Sequence, residues 1–262
     1  MAFHPRHLIL KLLLAEDVLS ARDAVSACSL FGVRENSVRV ALARLVASRM
    51  LVTEERGRYR LGPNAVGLAA EVKAWRTVEK RLRKWSGDWI AVHCGALGRT
   101  DRTALRARER ALHLLGFREL ERDLFIRPDN LVGGVEDVRS RLHKLGLESG
   151  AAVFVATAFE PKREARARGL WKSESPYKIE RARLEKWLAR AKLLDLRVAA
   201  RESFLIGGEA IRRLVFDPLL PEPLADANER RAFIDTVMKF DRTGQEIWRR
   251  LRSREVSRHA HP

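Results

Sequence analysis

The run Val33-Arg34-Glu35-Asn36-Ser37-Val38-Arg39-Val40-Ala41-Leu42-Ala43-Arg44-Leu45 reads as one helix with two unlike sides. Leu30, Val33, Val38, Leu42, Leu45 and Val46 recur near the helical period and make an apolar side. Glu35, Asn36, Arg39 and Arg44 project elsewhere, so the outer side is polar and mostly basic. Just upstream, Ser20-Ala21-Arg22-Asp23 sets a capping hydroxyl three residues before a carboxylate, which opens a short helix through about Ser29. Gly32 then breaks that helix. A short helix, a tight turn containing glycine and a second helix compose a helix-turn-helix, whose second helix enters the DNA major groove with its N-terminal side chains toward base edges. Arg34, Glu35, Asn36, Ser37 and Arg39 occupy that end.

Downstream, Leu51 to Leu61 places β-favouring residues on both sides of a polar tip at Gly57, the pattern of a hairpin. A hairpin after a recognition helix is a wing, and Arg56 and Arg58 at its tip would meet phosphates or a minor-groove edge. Upstream, His7 to Ala15 is too apolar for a surface helix and is expected in the core of the same module, which spans 1–63. The competing reading is a three-helix module with solvated charges. The cap, the glycine turn, the basic second helix and the Arg-Gly-Arg hairpin together favour DNA.

Fifty-one Lys and Arg against 34 Asp and Glu give a formal charge of +17, which suits a polyanionic partner: nucleic acid or an anionic metabolite. Arginine is abundant throughout, so part of the excess is solvated surface. No run approaches the ~18 to 20 apolar residues of a membrane span, and Met1 to Leu14 lacks a signal-peptide pattern, so a cytoplasmic location is expected. Cys28 and Cys94 sit in apolar company and read as reduced, buried thiols. The seven histidines show no metal-site spacing, and no metal or cofactor is expected.

Beyond Gly62-Pro63-Asn64, the residues Leu68, Val72, Trp75, Val78, Leu82 and Trp85 step by three and four, predicting a linker helix over 64–87. Its seam packs either on its own chain or on a second copy. Over 88–160 the order is strand (Trp89 to Ala96), helix capped by Thr100-Asp101, two short strands (Phe117 to Leu120, Leu124 to Arg127), helix, strand (Ala152 to Ala158). That βαββαβ order is ferredoxin-like, within an α+β chain. Residues 161–262 are read as a helical C-terminal domain, with Gly207-Gly208 a weak point in one helix. Asp217-Pro218-Leu219-Leu220-Pro221-Glu222-Pro223 is a break where a ligand pocket could form.

Several of these stretches carry a resemblance: Leu30 to Leu45, Arg56 to Leu61, Glu119 to Asn130 and Asp217 to Pro221 are similar to the PaaX-like transcriptional regulators, repressors of phenylacetate catabolism and related operons. The resemblance spans nearly the whole chain. It implies a homodimer of winged helix, ferredoxin-like and helical domains on double-stranded operator DNA, released by an aryl- or acyl-CoA thioester such as phenylacetyl-CoA. Arg39 and Asn36 would read bases, Arg34 and Arg44 would hold phosphates, and Arg56 and Arg58 would make the wing contacts. Arg44 could instead pair with Glu35 or Glu54. Arg163, Arg166, Arg168, Trp171 and Lys172 could line the mouth of a thioester pocket or form a solvated linker; no effector-binding residue is assigned.

Two other functions compete. One is a DNA-binding regulator without ligand, its later domains serving dimerisation or polymerase contact. The other is an enzyme: small CRISPR-associated nucleases share the βαββαβ order. They place an acidic metal ligand at the end of the first strand, where this chain has His93-Cys94-Gly95-Ala96, and no nucleophile–base pair is visible. A non-enzyme is expected.

Overall fold

Two short runs of strand, each flanked by helices, divide the chain. The computed structural model describes residues 4–55, 57–171 and 177–259. It forms two units: one takes residues up to 74 with 186–209 and those from 239 on, the other takes 75–185 with 210–238.

In the first unit, helix α1 (Pro5–Ala15) buries Leu8, Ile9, Leu12 and Leu13, as its apolar sequence requires. Strand β1 (Leu19–Ser20) leads into α2 (Ala21–Ser29), where the Ser20 hydroxyl accepts a hydrogen bond from the Asp23 amide at 3.0 Å. Gly32 turns with φ of +72°, a conformation glycine adopts without strain, and α3 (Glu35–Ala47) follows. Strands β2 (Leu51–Thr53) and β3 (Arg58–Leu61) pair antiparallel, and β1 adds to the far side of β3. Helix α4 (Pro63–Lys73) starts where a side chain on Gly62 would collide with the Arg49 carbonyl, 2.4 Å from its added Cβ.

The second unit holds β4 (Trp89–His93), α5 (Arg102–Leu114), β5 (Arg118–Glu121), β6 (Leu124–Pro128), α6 (Gly134–Lys144), β7 (Ala152–Ala156) and α7 (Pro161–Gly169). The sheet order is β5-β6-β4-β7, every neighbour antiparallel. Trp89 and Ala91 face a cluster with Leu120, Ile126, Ala167, Trp171 and Leu220, while Ile90 and Val92 point the other way and are also buried. Both faces of the sheet are therefore covered at its inner strand β4.

Three helices complete the chain: α8 (Tyr177–Arg190), α9 (Leu196–Val215) and α10 (Ala227–His259). They do not form the separate domain expected over 161–262, because their apolar residues serve two cores. Phe204 and Trp248 pack on the core of the first unit, while Tyr177 stacks on Phe233 in the second. Two further expectations change. The linker is not one helix: α4 ends at Lys73, and a tighter 3-10 segment over 74–81 carries a non-helical Thr77 (φ −120°). Trp75 and Val78, on either side of that kink, are both buried, so that part of the seam is used by its own chain. Helix α9 also runs unbroken through Gly207-Gly208.

Around the proline-rich break, side chains take up the backbone carbonyls. Arg127, fully buried, donates to Leu115 O, Pro128 O, Asn130 Oδ1 and Pro218 O. Asn130 donates to Leu219 O at 2.7 Å and Arg230 to Leu220 O at 2.7 Å. A buried carbonyl without a partner costs about 1 to 3 kcal/mol, which is why a non-helical segment here needs such donors.

Candidate nucleic-acid interface

Helix α3 buries Val38, Ala41, Leu42 and Leu45, and this fixes which side chains point outward. Arg34, at the N-cap, and Glu35, Asn36 and Ser37 in the first turn are all exposed. Arg39 is exposed too, but it is paired: its Nε donates to Glu35 Oε1 at 2.8 Å, and Nη2 lies 2.6 Å from the same oxygen. Asn36, Val40 and Arg44 follow one another at four-residue steps and form an outward line. Val40 is 41% exposed, an apolar side chain that the reading of charges alone passed over. Its place between Asn36 and Arg44 was the available signal.

Glu35 is engaged by Arg39, and Glu54 faces Arg60 at 3.5 Å, so both carboxylates considered for Arg44 have other cations. On the hairpin, Arg58 is exposed and its nearest carboxylate, Glu55, is 3.9 Å away. Arg56 lies outside the described residues. The hairpin tip is tied down: Gly57 has φ of +81° and its carbonyl accepts from the Ala21 amide at 2.8 Å, joining the turn to the start of α2. The α2–α3 pair and the hairpin thus share one core and one backbone link.

In the stretch considered for an anionic effector, two of the arginines are paired with carboxylates. Arg163 donates to Glu121 and Glu160, both at 3.0 Å, and Arg168 donates to Glu164 at 2.7 Å with its guanidinium 4.9 Å from the Trp85 ring centre. Trp171 stacks on Trp89 at 5.9 Å; Lys172 lies outside the described residues, and Arg166 is exposed. At the end of β4, His93 is exposed, Cys94 is buried, and Asp88 Oδ2 accepts from the Ser86 hydroxyl at 2.8 Å. Burial pushes the Cys28 thiol up to about 11 and the Cys94 thiol upward, which keeps both protonated and unreactive at neutral pH. Among the described residues no group of three or more His, Cys, Asp or Glu could hold a metal ion, and no helix is long and apolar enough to cross a membrane.

No protein-family model matches the chain, and no curated protein matches it. Among solved structures, it is similar to the uncharacterized protein Rv0674 from Mycobacterium tuberculosis, with 26% identity and a TM-score of 0.55, over 93% of this chain and 98% of that one. The likeness covers a mixed helix-and-sheet architecture nearly end to end and carries no function with it.

Proposed function

We propose that the chain is a sequence-specific DNA-binding transcriptional regulator of the PaaX-like kind, working as a homodimeric repressor. In this reading α2 and α3 are the helix-turn-helix, β2–β3 is the wing, and β4 to β7 with α5 and α6 are a ferredoxin-like module. The observation that carries it is the outward line of α3, where an amide, an aliphatic group and a guanidinium stand one turn apart and exposed. Such a set suits a major groove: an Asn amide is bidentate to adenine, an apolar group meets a thymine methyl, and an Arg at the end reaches a phosphate. The exposed Glu35–Arg39 pair is worth only about 0.3 to 0.5 kcal/mol, so Arg39 can leave it for a guanine at little cost. Arg34 then sits on the backbone at the helix N-terminus, and Arg58 with Arg56 holds the adjacent strand.

The test is fluorescence polarisation of the full chain on DNA from its own upstream region against random DNA, at two salt concentrations. Asn36→Ala is expected to cost about 1 to 3 kcal/mol on the cognate site and to relax base preference, whereas Arg58→Ala weakens all sequences alike. Equal binding to cognate and random DNA would leave the net charge as the whole explanation. An effector is tested in the same samples: a CoA thioester that binds must raise the melting temperature by mass action and lower DNA affinity.

A further inference from the structure

Helix α5 carries exposed arginines without the carboxylates that accompany them on its neighbours. On α3, α6, α7 and α10 an arginine faces an acid one turn away: Arg39 with Glu35, Arg139 with Glu136, Arg168 with Glu164, Arg249 with Glu246. Helix α5 instead presents Arg102, Arg106 and Arg110 at four-residue steps, all exposed, on the side opposite the buried Arg108, Ala111 and Leu112. Among the described residues no carboxylate pairs with any of the three, although Glu109 stands on the same helix. The free helix is disfavoured by this in two ways. Like charges four residues apart repel, and Arg102, next to the Asp101 cap, stands at the helix end that favours anions. An anion lying along the row relieves both.

The positive field continues past the last turn of α5. Arg118 Nη1 lies 3.4 Å from Nδ1 of the exposed His113. The His113 ring stacks on Phe216 at 5.1 Å, and the Arg212 guanidinium lies 5.7 Å from the centre of that phenylalanine ring. Among the described residues neither of these arginines faces a carboxylate. Burial first, and then the charges of Arg118 and Arg212, hold the His113 imidazole below its ordinary value. The ring thus registers a positive potential that no acid on this surface cancels.

We propose that the row Arg102, Arg106 and Arg110 holds the phosphate backbone of duplex DNA without regard to base sequence. Four residues of α-helix rise about 6 Å, so the three guanidinium groups stand in a row about 12 Å long, a periodic polycation facing a periodic polyanion. Each can grip a phosphate through two parallel N–H donors. A small anion would engage one or two of them; a strand engages the row. Helix α5 has no phenylalanine, tyrosine or tryptophan on which the bases of a single strand could stack. Nor does it expose a large apolar side chain to anchor a protein partner. The choice of DNA rather than RNA rests on the function proposed for α3, but this contact lies on the second unit and reads no bases.

The test is fluorescence polarisation of the full chain on a random-sequence duplex over a series of salt concentrations. Arg102→Gln, Arg106→Gln and Arg110→Gln together should lower the slope of log affinity against log salt by about 2 to 3, since each phosphate contact counts about 0.9. The circular dichroism should not change, because all three side chains are exposed. Lysine at the same three positions keeps the charge and should keep the slope. A control removes the same charge elsewhere, by Arg122→Gln, Arg190→Gln and Arg249→Gln, each facing a carboxylate, and should change the slope little. Equal losses in the two glutamine variants would make net charge the whole explanation and overturn the proposal, as would an α5 variant with the full slope. An α5 variant that keeps duplex affinity and loses binding to a poly-glutamate chain also overturns it and assigns the row to an acidic protein. Cognate and random DNA should weaken by the same factor; a lost cognate preference would defeat the sequence-blind role. A wild type without cognate preference, whose slope still depends on the row, upholds the contact and defeats the regulator.

Discussion

Asp217 shows how much one side chain can depend on distant sequence. The Tyr177 hydroxyl donates to its Oδ2 at 2.5 Å, the Leu219 amide donates to its Oδ1 at 2.8 Å, and the Arg230 guanidinium and Glu79 carboxylate stand nearby. Burial dominates and holds its carboxyl above the ordinary carboxylate range; the hydrogen bonds and Arg230 pull it back only in part. The folded chain therefore keeps this proton after the unfolded chain has lost it. In that window, which opens near pH 4 and closes at the raised value, stability falls as pH rises. Asp217→Asn keeps an acceptor for Leu219 and cannot ionise, so it should remove this part of the slope and match or exceed the wild type near neutrality. Thermal melts from about pH 3.5 to 7.5 read the difference, and parallel curves for the two proteins would refute the assignment. In the sequence this aspartate is only the head of a proline-rich break. Its burial depends on Tyr177, and the neighbouring carbonyls on Arg127 and Asn130, none of them local.

Helix α9 makes the same point for a whole element. Two adjacent glycines read as a weak point, since each costs up to about 1 kcal/mol relative to alanine in a helix. Gly207 has a reason to be small: a Cβ there would stand 3.0 Å from Cε1 and 3.3 Å from Cδ1 of the Phe240 ring, which also packs on Trp187 at 4.6 Å. At Gly208 the nearest atom is the end of the Lys11 side chain, which can swing away. Gly208→Ala should stabilise by roughly 0.5 to 1 kcal/mol, while Gly207→Ala should lose that gain to the ring contact and melt lower than Gly208→Ala. Urea titration separates them, and equal gains at both positions would mean the ring yields freely. What the sequence does make legible is local: the Ser20 and Asp101 caps, the turn at Gly32, the hairpin from Leu51 to Leu61 and the outward residues of α3 all follow from neighbours within a few positions. The break at Thr77 and the sharing of the last helices between two units depend on what each segment packs against, and periodicity alone does not specify it.

Taken over the whole chain, the excess of +17 is not a uniform coat. Many arginines already face a carboxylate, as Arg83 does Asp129, Arg108 Glu148, Arg190 Glu202 and Arg213 Glu180. Salt should therefore act mainly through the few cations that meet phosphates. Each phosphate neutralised adds about 0.9 to the slope of log affinity against log salt. In the proposed homodimer two α3 helices meet two half-sites, so the slope on a palindromic site should be about twice that on a single half-site. Arg58→Ala, by removing one phosphate contact per copy, should lower the palindrome slope by about twice as much as the half-site slope. Titrations of both DNAs with both proteins at three salt concentrations provide the comparison. If Arg58→Ala keeps the full slope on both DNAs, the hairpin meets no phosphate. If both proteins give the same shallow slope on both DNAs, each copy binds alone and the two-fold plays no part in recognition.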